Sequence, residues 1–425
     1  MHNYPADNEI LCPAEAGKRK KEYVQEFKHV VELPVVYKYS KKFVLTFVYK
    51  IDDMGIYIHV PFCRNKCFYC GFYSVASLQW KKAYIQALKQ EMRLRKDYLP
   101  EEKMSTLYLG GGTPSLLEEE ELYEITGEVR KHWAFEDRAE WSIEMNPEDA
   151  TLPKLSALRL MGFNRISLGA QSFDDAILKR INRNHWAEQI LQALENCEKS
   201  GFDNVGIDLI IGLPGSAVQG IEQEISIVKQ LNISHLSIYI LSIDSNSVFQ
   251  KLSEKGKFIP PDDDALAEQY LLVSEYLKTI GFEHYEISNF AKNFKYSRHN
   301  TAYWQQKPYL GLGPAAHSYD IDSRQWNVAH LKRYIDGLNK GELCFEKEIL
   351  TGRDKFNEYL MTNFRTQWGI EPAWLKGKYP DGWKRIAGKI DNYCKEGFMY
   401  RSGEKLCMTE RGWLISDAIF SELFM

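Results

Sequence analysis

From Met54 onwards, hydrophobic positions fall into two kinds of run. Short stretches rich in β-branched and aromatic residues recur at GIYIHVPF (55–62), STLYLGG (105–111), EWSIEMN (140–146), RISLGAQ (165–171), VGIDLIIG (205–212) and LSIYILSI (236–243). Their composition predicts strands. Longer amphipathic stretches lie between them, including KKAYIQALKQEMRLRKDYL (81–99), EELYEITGEVRKHW (120–133) and EQILQALENCEKSGF (188–202), and predict helices. Strand, helix and strand in regular alternation describe βαβ units and a parallel sheet. Six such units suit an α/β partial (βα)6 barrel better than a two-half dinucleotide fold, and no GxGxxG follows the first strand. Barrels of this kind gather reactive groups at the C-terminal strand ends. Cys63, Gly112, Glu144, Gln171 and Asp208 all fall at or near those ends.

Beyond about residue 250 the alternation loosens. PPDDDALAEQYLLVSEYLKTIGF (260–282) predicts a helix with acidic residues in its first turn. A loop rich in aromatic and polar residues is expected over 284–319, and a small C-terminal α+β domain over 346–425. The expected organisation is a barrel over 54–250, a barrel-completing segment over 251–345, and that C-terminal domain. Residues 1–53 differ in character: a polar start, the basic GKRKKE (17–22), then the β-prone VVELPVVYKYSKKFVLTFVYK (30–50). They read as an N-terminal extension, with Met54 a plausible start of the functional domain and the extension a consequence of start-site choice.

The 425 residues are 44% hydrophobic and 26% charged, with net charge -4, a soluble globular composition without a nucleic-acid-binding surface. No apolar run approaches the roughly 18–20 residues of a spanning helix, and no signal-peptide pattern opens the chain. A cytoplasmic location is expected. Five of the eight cysteines are scattered, while Cys63, Cys67 and Cys70 fall within eight residues. A disulfide framework belongs to small secreted chains, so clustered thiols here point to a metal.

The segment PFCRNKCFYCGFYS (61–74) spaces its thiols C-x3-C-x2-C. Thiolates hold iron–sulfur clusters, and three of them on a cubane leave one iron open to a small molecule. A zinc site would need a distant fourth ligand, since His59 is the only local histidine and lies inside a strand. A redox pair of Cys67 and Cys70 would leave Cys63 unexplained. With Tyr69 before the last cysteine, at the end of a first barrel strand, the motif resembles the radical-SAM superfamily. That resemblance implies a 4Fe-4S cluster on Cys63, Cys67 and Cys70 whose open iron chelates the amino and carboxylate groups of S-adenosylmethionine. Reduction there yields a 5′-deoxyadenosyl radical, chemistry that belongs to the cofactor while the protein positions it.

Further motifs fit the same resemblance. GGGTPSLL (110–117) follows the second strand, where glycines admit close backbone approach. Alone it is also a tight strand-to-helix turn; in context it resembles the loop gripping the methionine amino group, through Gly111, Gly112 and Thr113. Glu144 in EMNPE, Gln171 in GAQSF and Asp208 in GIDLIIGLPG resemble contacts to the ribose, amino and carboxylate groups. Tyr57 and Tyr69 are further candidate contacts. Arg183 in INRNH is a candidate for the ligand carboxylate, which a guanidinium matches bidentately.

EISNFAKNFKYSRHNTAYWQQKPYLGLGPAAHS (286–318) carries an RHN-x2-YW element followed by GLGPAAHS, and MTERGWLI (408–415) lies near the C-terminus. From about Met54 to the end, the chain resembles the oxygen-independent coproporphyrinogen oxidase-like proteins, and within them the HemW-type heme chaperones. A tetrapyrrole takes aromatic faces and its iron an imidazole; His299, Tyr303 and Trp304 supply both, with His317 and His284 as weaker candidates. The oxidases carry a fourth cysteine two residues after the third, where this chain has Phe72, and an N-terminal arm with no equivalent here. Gly71 stands where the chaperones' C-D-F variant is acidic. The resemblance thus implies a protein that binds heme and delivers it to respiratory proteins; the alternative is oxidative decarboxylation of coproporphyrinogen III. A zinc-stabilised structural barrel is the third reading. The resemblance also suggests a cluster-linked homodimer, and membrane association through partners only.

Overall fold

The computed structural model describes residues 54–100, 103–216, 218–244 and 247–425. The extension expected over 1–53, with its basic and β-prone stretches, lies outside them.

Six parallel strands form the centre: β1 (Gly55–Val60), β2 (Met104–Gly111), β3 (Phe135–Met145), β4 (Arg165–Gln171), β5 (Val205–Ile211) and β6 (His235–Ile240). The intervening helices are α1 (Lys81–Arg95), α2 (Glu119–His132), α3 (Leu152–Met161), α4 (Asp175–Arg180), α5 (Ala187–Lys199) and α6 (Val218–Gln230). After β6 come α7 (Val248–Glu254), α8 (Asp263–Thr279), β7 (Glu283–Glu286), β8 (Asn289–Ala291), α9 (Arg298–Trp304), β9 (Tyr309–Leu312), β10 (His317–Tyr319), β11 (Ser323–Asn327), α10 (Leu331–Asn339) and β12 (Phe345–Ile349). The sheet order is β12-β11-β10-β9-β1-β2-β3-β4-β5-β6-β8-β7. β9 adds to β1 in parallel, and β8 adds to β6 antiparallel. Among the described residues no pairing joins β12 to β7, so the barrel is open, as a partial (βα)6 arrangement requires.

The alternation of side chains along a strand explains where chemistry collects. Ile56, Ile58 and Val60 on β1, Leu107 and Leu109 on β2, Ile166 and Leu168 on β4, and Ile207 and Leu209 on β5 are buried in one apolar core with the helices. Their alternates are Tyr57 and His59, Thr106 and Tyr108, Ser167, and Asp208. Parallel sheets are usually apolar on both faces. Here the second face is polar, which marks it as the functional side.

Two sequence expectations shift. β3 starts at Phe135, five residues before the expected run, and the β2–β3 register jumps between Met104 and Thr106 to absorb the added length. The expected loop over 284–319 contains β7 to β10 and α9 instead. Those strands have three or four residues, too few for a periodicity to show. The helix expected over 260–282 forms as α8, its N-cap Asp262 accepting the Ala265 N–H.

A second apolar core, including Phe356, Phe364, Ile390 and Trp413, belongs to the C-terminal helices α11 (Gly352–Phe364), α12 (Pro372–Lys378), α13 (Pro380–Lys395), α14 (Glu410–Leu414) and α15 (Ser416–Leu423), and the hairpin β13 (Met399–Ser402) and β14 (Lys405–Met408). Its join to the barrel combines backbone hydrogen bonds, from Ile287 N–H to Arg365 O and from Gln367 N–H to Tyr285 O, with an ionic contact. Glu410 on α14 lies 2.6 Å from Lys278 Nζ on α8 and 2.6 Å from His284 Nδ1, and accepts the Ser274 hydroxyl. Burial works against its ionisation, but the His284, Lys278 and Ser274 contacts outweigh it and hold the carboxyl at about 2. A depressed carboxyl stabilises fully above its free value of about 4.3 and loses that contribution as pH falls through the folded value. Glu410→Gln is therefore expected to cost about 1–3 kcal/mol near neutrality, a deficit that thermal unfolding should show narrowing as pH drops from about 5 towards 3.

Candidate metal and cofactor site

A cavity of ≈ 360 Å³ opens at the C-terminal ends of the central strands. The cysteine loop forms one wall. Its base is closed by the Cys63 N–H to Val75 O bond at 3.1 Å and the Val75 N–H to Pro61 O bond at 2.7 Å. Phe68 pins its middle, donating to Ile181 O at 3.1 Å and accepting from the Phe249 N–H at 2.9 Å. The three thiols are free and half-buried, and all line the cavity. Thr113 Oγ1 donates to Cys63 Sγ at 3.6 Å, and Arg183 Nη1 to Cys67 Sγ at 3.6 Å. Burial pushes the Cys63 thiol up against its Thr113 and Ser74 hydrogen bonds, and drives Cys70 to about 11. Thiols this reluctant to ionise alone would be deprotonated by a metal they bind, with release of protons. Among the described residues no three His, Cys, Asp or Glu side chains gather closely enough to hold a single ion. The trio has the donor chemistry of an iron–sulfur cluster.

The opposite wall comes from the glycine loop and the polar strand face. Gly111 has φ 106°, and its N–H donates to Glu144 Oε2 at 3.1 Å. The Gly112 N–H donates to Val60 O at 2.8 Å, and a Cβ there would stand 2.6 Å from Phe62 O and 2.8 Å from Val60 O. With both amide donors used internally, this loop suits a donor-bearing group such as an ammonium rather than an anion. Glu144 also accepts the Tyr108 hydroxyl at 2.9 Å. Burial first, then Asp208, raises the Glu144 carboxyl to about 7. Burial also raises Asp208, which accepts from Ser167 Oγ at 3.2 Å.

Gln171 adopts φ 70° without being glycine, the kind of strain that collects at functional sites. Arg183 reaches in to donate through Nη2 to Asn146 Oδ1 at 3.0 Å and to Gly169 O at 2.5 Å. Burial disfavours its charge, but Tyr69 and Cys67 more than offset this. Its Nε is buried without a hydrogen-bond partner. An unsatisfied buried guanidinium edge beside a thiol wall is what a carboxylate-bearing ligand would complete.

The structure thus gathers Cys63, Cys67, Cys70, Tyr69, Gly111, Gly112, Thr113, Glu144, Gln171, Arg183 and Asp208 around one space. Tyr57 is not on its wall; its hydroxyl pairs with His59 Nδ1 at 3.2 Å. His299, Tyr303 and Trp304, the candidate heme contacts, lie away from this wall. His299 is 2% exposed, and both ring nitrogens are engaged, Nδ1 with Thr106 Oγ1 at 2.7 Å and Nε2 with Tyr303 OH at 2.8 Å. Burial drives its imidazole down to about 3. It stacks on Tyr108 at 5.1 Å and so supports the Glu144 wall from behind. Tyr303 packs on Tyr309, and neither it nor Trp304 lines the cavity. His284 belongs to the Glu410 joint, and His317 stacks on Trp326.

Sequence reasoning passed over Asn146, Tyr239, Ile240 and Asp244, all on the wall. Period two along β6 would have given Tyr239 from Ser237. Asp244 comes from the loop after β6, and no pattern announces it. Its carboxyl occupies the side-chain space of Gly71, the position where the sequence departs from an acidic residue.

An open parallel βα sheet with three thiols after its first strand and a polar cavity above it defines a radical-SAM protein, and residues 57–254 match the radical SAM superfamily. The chain is 33% identical to the heme chaperone HemW of Bacillus subtilis (strain 168) over 373 residues, covering 86% of this chain and 97% of that one. It is 35% identical to the heme chaperone HemW of Synechocystis sp. over 398 residues, covering 87% and 95%. The chain belongs to the HemW family. The solved structure of coproporphyrinogen III oxidase (HemN) from Escherichia coli shares the fold, with a TM-score of 0.76 at 22% identity over 95% of this chain and 98% of that one.

The glycine loop gives a direct test. Gly112→Ala forces a methyl against two backbone carbonyls and is expected to destabilise by about 1–3 kcal/mol in thermal unfolding. Gly127→Ala on α2, where a Cβ meets nothing within 4 Å, should instead stabilise by roughly 0.5–1 kcal/mol.

Proposed function

We propose that this chain is a heme chaperone: it binds heme and passes it to heme-accepting proteins, and it carries a 4Fe-4S cluster and S-adenosylmethionine. The observation carrying the chaperone reading is the near full-length relation to proteins named heme chaperones, joined to a cysteine loop that continues as Gly71–Phe72 without a fourth thiol. Cys63, Cys67 and Cys70 would hold the cluster. Gly111, Gly112, Thr113 and Glu144 would receive the ammonium end of S-adenosylmethionine, Arg183 its carboxylate, and Tyr69, Gln171 and Asp208 the remainder. When bound, the pair supplies one-electron chemistry; the protein's part is to orient the ligand, screen it from water and fix the charges around it. Tyr57 stands behind that shell, and the Thr106–His299–Tyr303 chain braces it. A direct heme role for His299, Tyr303 and Trp304 would require α9 to open. No helix among the described residues is long and apolar enough to cross a membrane; a cytoplasmic location and respiratory acceptors are part of the proposal.

The second reading, coproporphyrinogen III oxidation, is favoured by the fold shared with the Escherichia coli oxidase. One experiment separates the two. Reconstituted protein given coproporphyrinogen III, S-adenosylmethionine and a reductant should form no protoporphyrinogen, while heme titration should give a saturable Soret shift. Robust turnover would reverse the assignment.

Glu144 predicts a pH dependence. A carboxyl raised to about 7 is neutral below and ionised above that value. Affinity for the cationic sulfonium nucleotide, followed by calorimetry, is expected to rise between pH 6 and 8, on the order of tenfold for one added charge contact. Glu144→Gln should flatten the curve at its low-pH level.

A further inference from the structure

Gly71 and Asp244 occupy one side-chain volume. A Cβ built on Gly71 would stand 2.2 Å from Asp244 Oδ2, 2.6 Å from its Cγ and 2.7 Å from its Cβ. Rotating the carboxylate away cannot relieve a contact that already involves the Asp244 Cβ, so the backbone itself would have to move. The Gly71 backbone is not in the left-handed region. Space, rather than conformation, makes this position glycine.

Asp244 is held in place. Its carbonyl accepts the Ser247 N–H at 2.8 Å, and two residues further on the Phe249 N–H bonds to Phe68 O inside the cysteine loop. Phe249 also meets Phe68 edge-on, with ring centroids 6.2 Å apart, and stacks on Phe258 at 4.5 Å. Phe249 is therefore packed and hydrogen-bonded against the cysteine loop. The Asp244 carboxylate lines the same cavity as Cys70 and Lys66. It makes no hydrogen bond or ion pair with the described residues.

We infer that Asp244 is an electrostatic component of the cluster site, its carboxylate bearing on the cluster at Cys70 and holding the reduction potential down, and that Gly71 is glycine in order to admit it. A negative charge near a cluster opposes uptake of an electron, and net charge is one of the quantities that set iron–sulfur potentials. The other charged groups on this wall are Arg64, Lys66 and Arg183, of opposite sign, and Glu144, Glu148 and Asp208, of like sign; Arg183 is already committed to Cys67, Asn146 and Gly169. Asp244 is thus a positioning and tuning residue, not a ligand. This rests on the cluster assignment above, and its test separates the two.

Full-length protein is reconstituted anaerobically, its iron and sulfide are counted, and the cluster is titrated with dithionite under EPR. Asp244→Asn should keep full iron and sulfide while its potential moves to more positive values. Gly71→Asp, which drives Asp244 from its seat, should lower iron content several-fold. The double variant Gly71→Asp/Asp244→Gly returns a carboxylate to the same space and should recover both loading and a near-native potential. A fully loaded Asp244→Asn with the native potential would overturn the inference, as would a Gly71→Asp indistinguishable from the parent. Parent protein that assembles no cluster would overturn the cluster assignment instead.

Discussion

Burial of ionisable groups around one cavity is the constraint on which the rest of the structure depends. Burial is the leading influence on Cys63, Cys70, Glu144 and Asp208, and in each it favours the neutral form. Placing four such groups together is costly unless something of opposite charge completes the site. Ferric and ferrous iron would do so for the thiols, and a sulfonium nucleotide with an ammonium group for the carboxyls. Arg183, whose Nε has no partner, supplies the complementary demand for an anion. The cavity is therefore electrostatically unfinished in a way that matches one kind of occupant.

The fold serves that constraint by dividing its strands. One face of β1 to β5 sends Ile, Leu and Val side chains into the helical layer, and the other presents Tyr57, Tyr108, Glu144, Ser167 and Asp208 inward. A shift of one residue in any strand would exchange the two sets. The helices then fix register through burial alone, leaving the inner face free to carry chemistry. His299 shows how far this support extends: a buried imidazole between Thr106 and Tyr303 holds the ring of Tyr108, whose hydroxyl holds Glu144.

Much of this was legible in the sequence, and the limits have physical reasons. The six central strands declared themselves because each carries five or more residues of one pattern, and the three cysteines because their spacing admits few other chemistries. β7 to β10 were hidden because strands of three or four residues have no measurable period. The setting of His299 was hidden because a histidine beside aromatics suits a ligand and a packed core equally, and its burial and two hydrogen-bond partners appear only in the folded chain. Asp244 was invisible because its importance depends on a loop 173 positions from Gly71 in number folding onto it, a contact that no local pattern records.

The central claim is that three thiolates present a cluster with one iron open to the sulfonium nucleotide. EPR of the dithionite-reduced, anaerobically reconstituted protein, recorded before and after addition of S-adenosylmethionine, tests it most directly. The account predicts a 4Fe-4S spectrum whose line shape changes when the nucleotide is added, because the ligand binds the open iron. A reduced protein with no iron–sulfur signal, or with a spectrum that S-adenosylmethionine leaves unaltered, would contradict it.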